Sequence, residues 1–108
     1  MDHRFVTVQT TTAQAEDAER LAALVLESRL AACVQIAGIR SLYRWQGTVQ
    51  DEPEHLVTCK TTAAAVPGLR ELLAREHPYE EPEIIVQPII DGSEGYLAWL
   101  ESETRPAR

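Results

Sequence analysis

The sequence predicts an α+β fold in which one antiparallel sheet carries two helices on a single face. Three observations lead there. Residues 13–30 and 62–77 place apolar side chains at spacings of three and four, the period of an amphipathic helix. Residues 3–10, 31–49, 54–61 and 84–90 instead show two-residue alternation or short apolar runs, the marks of strands. The order is therefore strand, helix, strand, strand, helix, strand, with a short helix after residue 93. Two right-handed strand–helix–strand crossovers joined by a long hairpin give a ferredoxin-like βαββαβ sandwich with a short C-terminal helix.

The first strand, 3–10, sets Val6 and Val8 against Phe5 and Thr7 on its other side. The threonines that follow offer an N-cap, with Thr11 and Gln14 at capping-box spacing. In the first helix Ala18, Leu21, Ala22, Val25 and Leu26 form the apolar stripe, and Glu16, Arg20, Ala23 and Glu27 the wet face. Glu16 precedes Arg20 by one helical turn, the favourable order for an ion pair. Residues 31–36 read as a buried run that bends at Ala37-Gly38. Residues 39–49 continue with Ile39, Ser41, Tyr43 and Trp45 on one side and Arg40, Leu42 and Arg44 on the other. Gly47 is expected to form a bulge and residues 50–53 a turn. In 54–61, Leu56, Thr58 and Lys60 oppose Val57, Cys59 and Thr61. Arms this long project from a small protein, and projecting strands need something to pair with.

The second helix tolerates Pro67 in its first turn, buries Val66, Leu69, Leu72 and Leu73, and stops at Pro78. Residues 84–90 are apolar enough to be buried on both faces, with Pro88 marking a bulge or an edge. Asp91-Gly92 turns and Ser93 can cap a last helix holding Tyr96, Leu97, Trp99 and Leu100, after which 104–108 should fray.

With 108 residues the chain has the size of one domain, 1–108. Its 17 acidic against 10 basic residues, a net charge of −7, argue against a nucleic-acid partner, which needs a basic stripe. No run approaches the roughly 20 apolar residues of a membrane span, and the first residues show no signal-peptide core. Cys33 and Cys59 lack zinc spacing and read as reduced core thiols of a cytoplasmic protein.

No phosphate loop, zinc-binding histidine pair or nucleophile elbow is present, so no enzyme activity is expected. The stretch 76–90 stands out instead. Pro78 and Pro82 stiffen a loop that carries an imidazole, a phenol and several carboxylates at a strand entrance. It suits a binding edge, and equally a plain helix-to-strand connector. Within it His77 is the best single metal-ligand candidate, the alternative being a helix C-terminal histidine on the last carbonyls. Lys60 could hold an anion at its strand exit or be merely solvated. Cys33 is more often core than soft ligand, and Trp45 more often interface than stacking platform.

Taken together, L-A-A-C-V at 30–34, S-L-Y-R-W-Q-G at 41–47, Glu54, Lys60-Thr61, H-P-Y-E-x-P-E-I at 77–84 and G-x-x-x-Y-L-x-W-L at 92–100 resemble the CutA family of divalent-cation-tolerance proteins. The resemblance runs through nearly the whole chain in matching order. It implies a ferredoxin-like domain assembled as a tight homotrimer, each hairpin reaching a neighbour. It also implies a likeness in shape to PII-type signalling proteins, a link to copper tolerance in bacteria, and no established enzymatic activity. Carried onto the matching motifs, Cys33, Trp45, Lys60, Tyr79 and Glu83 are the ligand-binding candidates and His77 the metal candidate.

Some members end the first strand in cysteine and place a second histidine before H-P-Y; here Thr10 and Glu76 stand there. That removes the soft part of a copper set, so no cofactor is required and only weak Cu²⁺ binding is expected. The leading expectation is a trimeric cytoplasmic divalent-cation-tolerance protein without nucleic-acid or membrane partners. The alternatives are a PII-like sensor taking a small molecule in clefts between subunits, near Lys60, Trp45 and Tyr79, or a partner-binding trimer.

Overall fold

Alternation in the first strand sets the frame. In the computed structural model, which describes residues 3–105, β1 (Phe5–Thr12) buries Val6 and Val8 on one side and leaves Phe5 and Thr7 half-buried on the other. It is followed by α1 (Ala15–Glu27), β2 (Cys33–Trp45), β3 (Thr48–Thr62), α2 (Val66–Glu76), β4 (Ile85–Pro88) and α3 (Glu94–Glu103), with one 3₁₀ turn, Ala63–Ala65, leading into α2. The sheet order is β2-β3-β1-β4 and every neighbouring pair is antiparallel, the ferredoxin-like arrangement.

Register assigns the faces, since directly paired residues point the same way. Val6 pairs with Thr61, Val8 with Cys59 and Thr10 with Val57 on the side under the helices. Thr7 pairs with Lys60 and Gln9 with Thr58 on the side that α1 and α2 leave open. The main core joins Val6, Val8, Val57 and Cys59 of the sheet to Ala18, Leu21 and Val25 of α1 and to Leu69, Leu72 and Leu73 of α2. Burying one such aliphatic side chain contributes about 1.5–3 kcal/mol.

Several local expectations change. The Thr11/Gln14 capping box does not form: Gln14 is the N-cap without a side-chain bond, and the Thr12 hydroxyl donates to the Gln14 carbonyl at 2.8 Å. Leu26 faces solvent, and Leu24 packs on the core instead. The helix closes earlier than its periodicity suggests because Arg29 turns left-handed (φ 56°). There Leu30 N–H reaches the Val25 carbonyl and Arg29 N–H the Leu26 carbonyl, a Schellman closure. Arg20 bypasses Glu16. It lies 3.6 Å from Asp17 and donates to the Glu76 carbonyl at 2.7 Å, tying α1 to the end of α2.

The hairpin differs most. β2 runs unbroken through Ala37-Gly38, and Gly47 forms no bulge. Gln46 (φ 48°) and Gly47 (φ 80°) make a two-residue turn with both central φ values positive, the geometry whose twist matches paired strands. The expected turn at 50–53 is strand, paired with Arg40 through Tyr43. Pro53 is tolerated because β1 stops opposite His55, so this half of β3 has no neighbour on its other side. β4 is an edge strand, as Pro88 allowed, but it is not buried on both faces: Ile85 and Val86 are 43% and 40% exposed. Ser93 is the α3 N-cap without a side-chain bond. Thr104 does not fray; it is buried, and Arg105 N–H donates to the Arg29 carbonyl at 2.7 Å. The rest of the expected frayed tail, 106–108, lies outside the described residues.

Among the described residues three buried side-chain atoms have no partner, the Thr10 and Thr104 hydroxyls and Arg29 Nε, and Thr10 is the one inside the sheet. The Thr10 hydroxyl is sealed under the helices and has no hydrogen-bond partner among the described residues. Valine has nearly the same shape without the polar atom. Thr10→Val is therefore expected to stabilise the fold by about 1 kcal/mol, seen as a higher urea midpoint. A lower midpoint would mean that the hydroxyl is satisfied.

Candidate functional site

The loop between α2 and β4 is built around His77. Pro78 holds His77 extended (φ −71°, ψ 138°) at the helix end, which turns its ring toward the end of β1. The ring is only 8% exposed. Tyr79 N–H donates to Nδ1 at 3.0 Å, so that nitrogen carries no proton, and Nε2–H donates to the Thr11 carbonyl at 3.0 Å. Burial holds the imidazole below its usual range, outweighing the Thr11 carbonyl that favours the charged form; Asp17 and Glu54 also raise it and Arg20 lowers it. With both nitrogens engaged, a cation at this ring has to displace one of the two bonds.

Tyr79 continues the same contact. Its ring lies 4.9 Å from that of His77, and its hydroxyl donates to Glu54 Oε2 at 2.9 Å. Burial and the Glu54 carboxylate push the phenol well above its ordinary value. Tyr43 donates similarly to Glu52 at 3.2 Å. The loop is thereby fastened to β1 through His77 and to β3 through Tyr79. Glu76 is committed as well, with carboxylate oxygens 3.3 Å from both Arg20 and Arg75. Among the described residues, no group of three or more histidine, cysteine or acidic side chains gathers to hold a metal ion.

The other candidates lie elsewhere. Lys60 and Cys33 face each other across β3 and β2 on the open side of the sheet. The Lys60 ammonium sits 5.7 Å from the centre of the Tyr96 ring. Glu83 accepts a bond from Gln9 Nε2 at 3.0 Å at the β4 side of the sheet. Trp45 stands at the hairpin tip, twelve residues along β2 from Cys33, a separation of about 40 Å at ~3.3 Å per residue. The candidate set thus divides into a fastened loop, an open sheet face and a projecting tip. The two cysteines also part: Cys59 is buried and its thiol is pushed up to about 12, chiefly by burial, while Cys33 is half-buried on the open face. The roles of Tyr96 and Glu54 depend on register and helix docking, and only the Y-L-x-W-L and Glu54 matches hinted at them.

Comparison with known proteins adds to this geometry. The family model described as CutA1 divalent ion tolerance protein matches residues 6–103. The divalent-cation tolerance protein CutA of Thermus thermophilus is 45% identical over 98 residues, covering 90% of this chain and 95% of that protein. A chloroplastic CutA of Arabidopsis thaliana is 40% identical over 101 residues; the match covers 93% of this chain but 56% of that longer protein. Among solved structures, CutA from Synechococcus elongatus superposes with a TM-score of 0.92 at 36% identity, over 96% of this chain and 93% of that one.

Proposed function

Since the chain belongs to the CutA1 divalent ion tolerance family, we propose that it works as a non-catalytic cytoplasmic homotrimer in the response to divalent cations, binding Cu²⁺ only weakly. The observation that carries the assembly is the outer hairpin. Leu42 and Val49 on one face are 61% and 62% exposed, and Trp45 on the other is 57% exposed. Apolar side chains on both faces of a two-stranded ribbon have no cover within one chain, and such a ribbon is marginal in water by itself. The sheet also ends in two unlike edges, β2 and β4. A contact joining one edge to the other on the next copy is heterologous, and such contacts close into a ring when the rotation between copies is a whole fraction of a turn.

Weak copper binding follows from the loop. Tight Cu²⁺ sites need several nitrogen or sulfur ligands in fixed geometry, and here one buried imidazole would have to give up a hydrogen bond to offer one. Light scattering on purified protein should give three times 12.1 kDa, persisting on dilution to micromolar. Calorimetry with Cu²⁺ should give an affinity no tighter than micromolar. A monomer would sink the assembly reading, and a nanomolar Cu²⁺ site would sink the other half.

A further inference from the structure

The chain has no asparagine and four aspartates, at 2, 17, 51 and 91, and only Asp91 is followed by glycine. Asp2 lies outside the described residues. The other three differ in how their carboxyl group and the next main-chain nitrogen are engaged. After Asp17 the Ala18 N–H donates to the Gln14 carbonyl at 3.3 Å, in the first turn of α1. Asp51 is paired in β3, and Arg40 donates to both of its carboxylate oxygens, at 2.8 and 2.6 Å. Asp91 is free of such ties. It stands exposed on the link between β4 and α3, and the Gly92 N–H donates to Asp91 Oδ1 at 2.8 Å. That bond sets the nitrogen beside the carboxyl carbon, Cγ, the next atom in. Backbone bonds fasten the link at Ile89, to the Phe5 carbonyl, and at Ser93, from Leu97 N–H; none holds 90–92 among the described residues.

We propose that Asp91-Gly92 is a modification site, at which aspartate isomerises spontaneously to isoaspartate through a cyclic imide, and that the change loosens α3. In the first step the Gly92 nitrogen bonds to Cγ of the neutral carboxyl group, and the nitrogen's proton leaves with the carboxyl hydroxyl as water. A five-membered ring results. Water then adds back at either ring carbonyl. Addition at Cγ breaks the new bond and restores aspartate. Addition at the Asp91 main-chain carbonyl breaks that carbon's bond to nitrogen, so the chain now runs through Cβ and Cγ. Mass is unchanged and water is the only co-reactant. Glycine has no side chain to shield the nitrogen or to restrict the rotation that closes the ring. Holding the two reacting groups side by side removes part of the entropic barrier. The isoaspartyl link is one methylene longer. Leu97 packs 3.2–3.4 Å from where a Cβ on Gly92 would stand, which leaves little room to absorb the extra length without moving α3, whose Leu100 is fully buried. The site uses neither the loop around His77 nor the hairpin, so it goes beyond the cation-tolerance reading and is independent of it.

The test ages the natural protein and Asp91→Glu together in warm, mildly acidic buffer. Glutamate keeps the charge but must close a six-membered ring, which is far slower. Isoaspartate is read by methyl transfer from S-adenosylmethionine with an isoaspartyl carboxyl methyltransferase, and located by electron-transfer mass spectrometry, which separates the two isomers. Methyl acceptance is expected to rise with time in the natural protein, to map to residue 91, and to be mostly lost in Asp91→Glu. The urea midpoint should fall as isoaspartate accumulates and hold in the variant. No isoaspartate at residue 91, or more of it at 17 or 51, would overturn the site. A midpoint that stays level, or falls equally in Asp91→Glu, would overturn the effect on α3. The mapping uses the unaltered protein, so it decides the first point even if the variant fails to fold.

Discussion

Trp45→Ala and Leu42→Glu are each expected to dissociate the proposed trimer. The two side chains sit on opposite faces of the hairpin, and both are more than half exposed in the single chain. A buried aromatic anchor at an interface is typically worth about 2–4 kcal/mol. In a closed ring each contact occurs three times, so one substitution removes roughly 6–12 kcal/mol from the assembled trimer. Leu42→Glu adds the cost of placing a charge where the proposal puts an apolar contact. Leu26→Glu serves as the control, because Leu26 is an exposed leucine on α1, away from the hairpin. Light scattering at micromolar concentration should show monomers for the first two and a trimer for the third. Persistence of all three as trimers would remove the hairpin from the interface.

His77→Ala should destabilise the fold by about 2–4 kcal/mol, from two lost hydrogen bonds and the cavity left behind. The Thr11 carbonyl and the Tyr79 N–H would both lose their partner. The pH dependence has a definite sign. Burial keeps the ring's proton affinity in the fold below the ordinary value of about 6.5 that it regains on unfolding. Between those two values the unfolded chain binds more protons, so stability falls as pH drops. The contribution is fully present above about pH 6.5 and is lost as pH falls through the folded-state value. Geometry agrees, because a protonated Nδ1 would point its hydrogen at the Tyr79 N–H. Urea midpoints from pH 7.5 down to 5 should decline for the natural protein, with a shallower slope for His77→Ala. Parallel slopes would show that another group carries the effect.

The elements whose signal is periodic are legible in the sequence. Leu21, Val25, Leu69 and Leu73 declared both helices, and Val6 and Val8 the central strand, because burial on one face imposes the spacing. Pro88 marked a bulge or an edge, and β4 is an edge strand. What failed was local punctuation. Gln50 through Pro53 have turn composition, yet pairing with β2 holds them in strand where no third strand objects to the proline. Ile85 and Val86 looked buried because composition cannot distinguish a core strand from an apolar edge strand. Of the site, the loop's stiffness was readable from its two prolines, while binding edge and plain connector stayed equally open. The exchange of bonds among His77, Thr11 and Tyr79, and the placing of Lys60 under Tyr96, depend on tertiary contacts that no spacing encodes.

The position of β1 inside the sheet has a consequence for synthesis. β1 leaves the ribosome before the other three strands of its sheet, yet it lies between β3 and β4, and Val8 pairs with Cys59 on one side and Val86 on the other. At about 5–20 residues per second, Val8 precedes its last partner by roughly 4–16 s. The hairpin, whose turn joins adjacent strands, can close within microseconds of emerging. The nascent chain should therefore carry a finished hairpin and an apolar strand still lacking one neighbour until β4 has emerged. Proteolysis of chains stalled before residue 85 should cut within β1, and protection should appear only once residue 88 is clear of the tunnel.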